Sequence, residues 1–231
     1  MVAAAAIAAN LADVRARIAA AAERAGRDPA SVQLVAVSKS FPAEAVIAAA
    51  QAGQRLFGEN RVQEAVAKAA AVRAAGITDI AWHMVGRLQT NKVRAAAGLF
   101  AMIHSIDSLR LARALSLRLT APLPVLVEVN VAGEETKAGF SPAETPEAVR
   151  AIAALPYLDV RGLMTVAPAV SDPEVVRPVF RQLATLAHAL GLPELSMGMS
   201  GDYPVAIEEG ATLVRIGTAI FGPRPPREAG A

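Results

Sequence analysis

Apolar residues follow two alternating rhythms along this chain. Short aliphatic runs, Leu34-Val35-Ala36-Val37 the clearest, read as strands covered on both faces. Longer stretches between them repeat an apolar residue every three or four positions, the stripe of an amphipathic helix. The first stripe, Ile7, Leu11, Val14 and Ile18, precedes any strand. The pattern predicts strands near 33–37, 55–58, 80–85, 101–105, 124–130, 160–166, 195–198 and 213–216. It predicts helices over 42–53, 60–75, 89–97, 107–119, 144–154, 173–190 and 202–209. Gly53, Gly76, Gly191 and Gly210 stand where helix C-terminal stops belong, and Asp107, Asp172 and Asp202 where N-caps belong. Pro173 suits a first helical position, whereas Pro178 falls inside the helix and is expected to bend it or delay its start.

Strands alternating with helices call for parallel pairing. Eight such units in a chain of 231 residues predict an α/β fold, a single (β/α)8 TIM barrel with an extra N-terminal helix. An open, doubly wound sheet is the alternative. No change of composition marks a second domain, so one domain is expected over 1–222, with 223–231 ("PRPPREAGA") a disordered tail.

Composition narrows the chemistry. There is no cysteine, which removes disulfides, thiolate zinc sites and cysteine nucleophiles, and fits a cytoplasmic protein. Net charge is +2, and no cluster of basic residues offers a nucleic-acid or membrane footprint. Asn10, Asp13, Arg15 and Arg17 interrupt the apolar start, so no signal peptide is expected, and no apolar run is long enough to span a bilayer. Three scattered histidines make no metal set.

In a barrel of this kind the functional face lies at the C-terminal ends of the strands. Lys39 follows the first strand, and the chain has only three other lysines, at 68, 92 and 137. A strand-end lysine inside a barrel mouth is partly desolvated, which lowers its pKa and frees the amine to form a Schiff base with an aldehyde. A snorkelling rim lysine is the plainer reading. The loops after the seventh and eighth strands carry Ser200, Gly201, Gly217 and Thr218, small and hydroxylic residues suited to a phosphate group, or simply to tight turns. A phosphate anchor facing a Schiff-base lysine is the pattern of pyridoxal 5′-phosphate, PLP. Arg215 shares strand parity with Leu213 and Gly217, so it either meets the pyridine nitrogen of such a cofactor or makes a structural ion pair in the barrel. His83 and His104 lie in the third and fourth strands, where a hydrogen-bonded core role is expected, and His188 is read as structural. Lys68, mid-helix, and Glu64 are expected to face solvent, as is Lys137 in "GEETKAGF", the most credible rival to Lys39.

The motifs "LVAVSK", "FGENRVQE", "WHMVGRLQTNK", "HSID", "VNVAGEETKAGF", "GLMTVAP" and "LSMGMSGDYPVAIEEGATLVRIGTAIFG" run in order from about residue 30 to 222. As an ordered set they resemble the pyridoxal phosphate homeostasis protein family. The resemblance implies a barrel like the N-terminal domain of alanine racemase, with PLP as a Schiff base on Lys39. It implies phosphate contacts from Ser200, Gly217 and Thr218, a pyridine-nitrogen contact from Arg215, and Asn60 lining the pocket. It further implies a cytoplasmic, monomeric PLP carrier that serves vitamin B6 and amino-acid balance without a clear reaction, with PLP-dependent apoenzymes as candidate recipients. The alternative is an amino-acid racemase of the same fold. A racemase needs a second base, and neither Tyr157 nor Tyr203 is well placed in the sequence to supply it.

Overall fold

The computed structural model describes residues 3–134 and 136–223. Parallel strands close into a barrel in chain order. They are β1 (Gln33–Val37), β2 (Leu56–Glu59), β3 (Ala81–Met84), β4 (Met102–Ile106), β5 (Leu123–Glu128), β6 (Leu158–Met164), β7 (Glu194–Ser196) and β8 (Leu213–Ile216). The helices are α1 (Ala4–Arg24), α2 (Ala43–Gln51), α3 (Val62–Ala74), α4 (Val93–Ala97), α5 (Leu109–Ser116), α6 (Thr145–Ala153), α7 (Arg177–Ala189), α8 (Tyr203–Glu208) and α9 (Thr218–Phe221). Pairing of β8 with β1, in register from Gln33 opposite Leu213 to Ala36 opposite Ile216, rules out the open sheet.

Side-chain alternation builds two cores. Val35, Met102, Leu126, Met164 and Leu213 point inward and fill the barrel. Their neighbours, such as Ala36, Ile103, Val127 and Val214, point outward against Leu111, Phe180 and Leu183 of the helical ring. The stripe Ile7, Leu11, Val14 and Ile18 of α1 is buried, each large side chain contributing about 1.5–3 kcal/mol. It packs against α2, α8 and α9, so α1 covers the seam where the chain's last strand meets its first. Asn10 donates to the Ile220 carbonyl at 2.9 Å and Arg27 to that of Ile207 at 2.7 Å.

Helix ends follow the expected signals with instructive exceptions. Gly53 and Gly76 hold φ of 86° and 82°, which a Cβ would strain. Pro178 delays its helix: a 3-10 turn spans Pro173–Val176, Asp172 accepts the Glu174 N–H at 3.0 Å, and α7 starts at Arg177. Pro178 thus sits in the first turn, where its missing N–H leaves no bond unmade. The cap of α5 is Ser108, not Asp107; its hydroxyl accepts from Leu111 N–H at 3.3 Å while Asp107 holds Arg87 at 3.2 Å. Asp202 precedes α8 but takes the N–H of Met199 at 2.6 Å, folding the loop instead of capping the helix. The four-residue α9 has no counterpart in the sequence pattern, being too short to show a period. Among the described residues no helix is long and apolar enough to cross a membrane. From residue 224 onward the expected disordered tail lies outside the described residues.

Candidate cofactor site

The strand ends converge on a pocket of about 420 Å³ at the C-terminal mouth of the barrel. Lys39, Asn60, Ser200, Arg215, Gly217 and Thr218, all singled out from the sequence, line it together, and Gly201 joins them. Each reaches the pocket for a local reason. Lys39 keeps the inward parity of Val35 and Val37 just past β1. Asn60 follows β2, and the next loop lies so close that a Cβ on Gly86 would sit 2.6 Å from the Asn60 Cα. Ser200 follows β7, and its hydroxyl accepts the Ala219 N–H at 3.3 Å, tying the loops after β7 and β8 together. Among the described residues no backbone carbonyl takes the N–H of Gly201 or Thr218. Free N–H groups beside two hydroxyls form a donor set for an anion such as a phosphate ester.

Arg215 is buried at the pocket floor. It donates to Ser196 Oγ at 2.6 Å and to the Thr165 carbonyl at 2.8 Å. Neither partner is a carboxylate, so among the described residues the expected structural ion pair is not found. Burial pulls the guanidinium pKa down to about 10, against the opposing fields of Glu128 and Asp202. The network continues inward, with Ser196 Oγ 2.8 Å from His104 Nδ1, and His104 Nε2 2.8 Å from His83 Nδ1. Burial holds the His83 pKa down at about 4; burial, helped by His83 and Arg215, pushes His104 well below its usual range. Two neutral imidazoles carry one N–H each, so the chain of donors runs either from Ser196 through His104 to His83 or the reverse. The two strand histidines are hydrogen-bonded core residues, as expected.

Glu128, at the end of β5, is a pocket residue the sequence reading missed. Burial, with Asp107 nearby, raises its pKa to about 7, although Arg215 and Arg87 pull the other way. The signal was a carboxylate inside the aliphatic run "VLVEV", at the parity of Leu126.

The other lysines correct the sequence reading. Lys68 is buried, not solvated: its ammonium donates to the Ser38 carbonyl, Glu59 Oε1 and Glu64 Oε1, each at 2.7 Å. Glu64 accordingly turns inward. Lys137 is half-buried and donates to the Val166 carbonyl at 3.2 Å while pairing with Glu134. Tyr203 is fully buried beneath Arg17, whose guanidinium lies 5.4 Å from the ring centroid, and Tyr157 is exposed ahead of β6.

A closed barrel with a lysine after its first strand and small, hydroxyl-bearing loops after its last two defines a class, that of the alanine racemase N-terminal domain. The model of that family, "Alanine racemase, N-terminal domain", matches residues 7–225. The pyridoxal phosphate homeostasis protein of Escherichia coli K12 is 47% identical over 228 residues, covering 94% of this chain and 97% of its own. That of Aquifex aeolicus is 45% identical over 224 residues, covering 93% and 97%. The structure of PipY from Synechococcus elongatus PCC7942 with PLP bound is 40% identical, with a TM-score of 0.81 over 94% of this chain and 100% of that one. Alanine racemase from Corynebacterium glutamicum, at 23% identity and a TM-score of 0.67, shares the fold and extends beyond it, since only 64% of that chain is covered. The chain therefore belongs to the pyridoxal phosphate homeostasis protein family.

Proposed function

We propose that this protein holds PLP in the barrel mouth and serves PLP and amino-acid homeostasis as a carrier, without a dedicated reaction of its own. The observation that carries the reading is the meeting of Lys39, Arg215 and the two anion-suited loops in one pocket of about 420 Å³. When bound, PLP supplies an aldehyde that condenses with a primary amine, expelling one water. Lys39 is the amine we assign to that link, as a Schiff base. The hydroxyls of Ser200 and Thr218, with the N–H groups of Gly201 and Thr218, would hold the phosphate. Asn60 lines the side of the pocket. Arg215, a donor-only group fixed by Ser196 and Thr165, would face the pyridine nitrogen and keep it unprotonated. We extend the reading to the barrel over 1–222 as one unit, working as a monomer in the cytoplasm and passing PLP to dependent apoenzymes.

The positions of the tyrosines support a carrier over a racemase, because neither adjoins the pocket to act as the second base. Two measurements test the proposal. Purified protein mixed with PLP should show a yellow absorption band, and borohydride should leave a pyridoxyl group on Lys39 by mass spectrometry. Lys39→Ala should abolish both; a band that survives that substitution moves the link to another amine. Incubation with L-amino acids in deuterium oxide should give no stereoselective α-hydrogen exchange at useful turnover, and rapid exchange would replace the carrier with an enzyme.

A further inference from the structure

The segment bearing Lys39 is held by a largely buried ionic cluster whose members do not line the pocket. Lys68, on the inner side of α3, spends all three ammonium donors on the Ser38 carbonyl, Glu59 and Glu64. The Ser38 hydroxyl adds a bond to Glu59 Oε1 at 2.6 Å, and the Ser40 N–H donates to Glu64 Oε1 at 2.6 Å. The bonded groups are those directly before and after Lys39. They join the end of β1, the end of β2 and the first turn of α3 through one nitrogen.

The backbone at this point needs holding. Ser40 has φ of 67°, the left-handed region that residues with a Cβ rarely adopt. The turn sends Phe41 onto Phe221, ring centroids 5.3 Å apart, and so sets where the chain leaves the mouth. A buried ion pair is poor evidence for added stability, since well-packed apolar residues serve as well or better. Here the cluster also has one cation for two carboxylates, and among the described residues Glu59 Oε2 has no hydrogen-bond partner. What apolar residues could not replace is the set of bonds to Ser38 and Ser40.

We propose that Lys68, acting through Glu59 and Glu64, is a positioning residue that fixes the turn Ser38-Lys39-Ser40 and so aims the Lys39 amine into the cofactor pocket. The proposal rests on Lys39 being the cofactor lysine. A lysine stem has four rotatable carbons, so the amine is directed only if its backbone is fixed.

The experiment compares wild type, Lys68→Met, Glu64→Ala and Glu64→Ala/Ser40→Gly. Each is scored for PLP affinity, for the rate of borohydride-trapped labelling of Lys39, and for hydrogen exchange of the Ser40 amide. In Lys68→Met and Glu64→Ala, labelling should slow by about ten- to a hundredfold, the scale on which misplacement of a reacting group is felt. The Ser40 amide should lose its protection in both. Glycine adopts the left-handed turn unaided, so adding Ser40→Gly should restore labelling while the amide stays unprotected. A cluster that only stabilised the fold would not respond to that second change. If Lys68→Met does not fold, the Glu64→Ala pair decides. Labelling at the wild-type rate in Glu64→Ala, with the Ser40 amide unprotected, overturns the clamp alone. Absence of any Lys39 adduct in wild type overturns the cofactor reading and the clamp with it.

Discussion

Glu128 and the two barrel histidines titrate in overlapping ranges with opposite effects on stability. His83 is held neutral, its pKa dropping from 6.5 to about 4 on burial. The unfolded chain therefore binds more protons between those values, and stability rises with pH by about 1.4 kcal/mol per unit for one such group. His104 acts in the same direction. Glu128 is raised from 4.5 to about 7, so the folded state holds the extra proton and stability falls as pH climbs through that window. Between about 4.5 and 6.5 the falling slope of Glu128 offsets only one of the two rising slopes. Glu128→Gln removes the falling slope and leaves the rising ones. Urea denaturation across that range should show a steeper gain of stability with pH in the variant than in wild type. Equal slopes would mean that Glu128 is ionised in the folded protein throughout.

Single elements reach the site through close contacts between loops. The loop after β3 leans on the loop after β2 because Gly86 has no side chain; a Cβ there would meet the Asn60 Cα at 2.6 Å and its carbonyl oxygen at 2.7 Å. Gly86→Ala should push Asn60 out of line, weakening PLP affinity more than it lowers thermal stability, as titration beside a melting curve would show. Most strands were legible within two residues, because parallel strands covered on both faces read as continuous aliphatic runs. Helix α3 was legible as a helix but not in its facing. Its buried positions Val62, Ala65, Lys68 and Val72 are three, three and four apart, so Lys68 sits on the inner stripe. Alanines around the helix weaken the contrast between its faces, and a lysine there reads as solvated by type. Only its partners, Glu59 on β2 and Ser38 on β1, explain why it is inside.

Closure of the whole barrel joins stability to the site. Helix α1 lies across the seam against α2, α8 and α9, and α9 begins at Thr218, one of the anion-suited residues. Leu11→Ala should cost about 2–5 kcal/mol in urea denaturation, as buried leucine truncations do. It should also lower phosphate-ester affinity through α9, and unchanged affinity would show that the anchor is independent of α1. The sequence by itself determined the eight strands and the seven helices between them, hence a barrel, and the position of Lys39, Ser200, Arg215, Gly217 and Thr218 at its strand ends. Those follow from local periodicity and strand parity, which neighbouring residues carry. Only the tertiary structure decided that Lys68 is buried, that Glu128 enters the pocket, and that His83, His104, Ser196 and Arg215 form one network. Each depends on which side chains from distant strands meet, and on what their burial does to charge, and no local pattern encodes that.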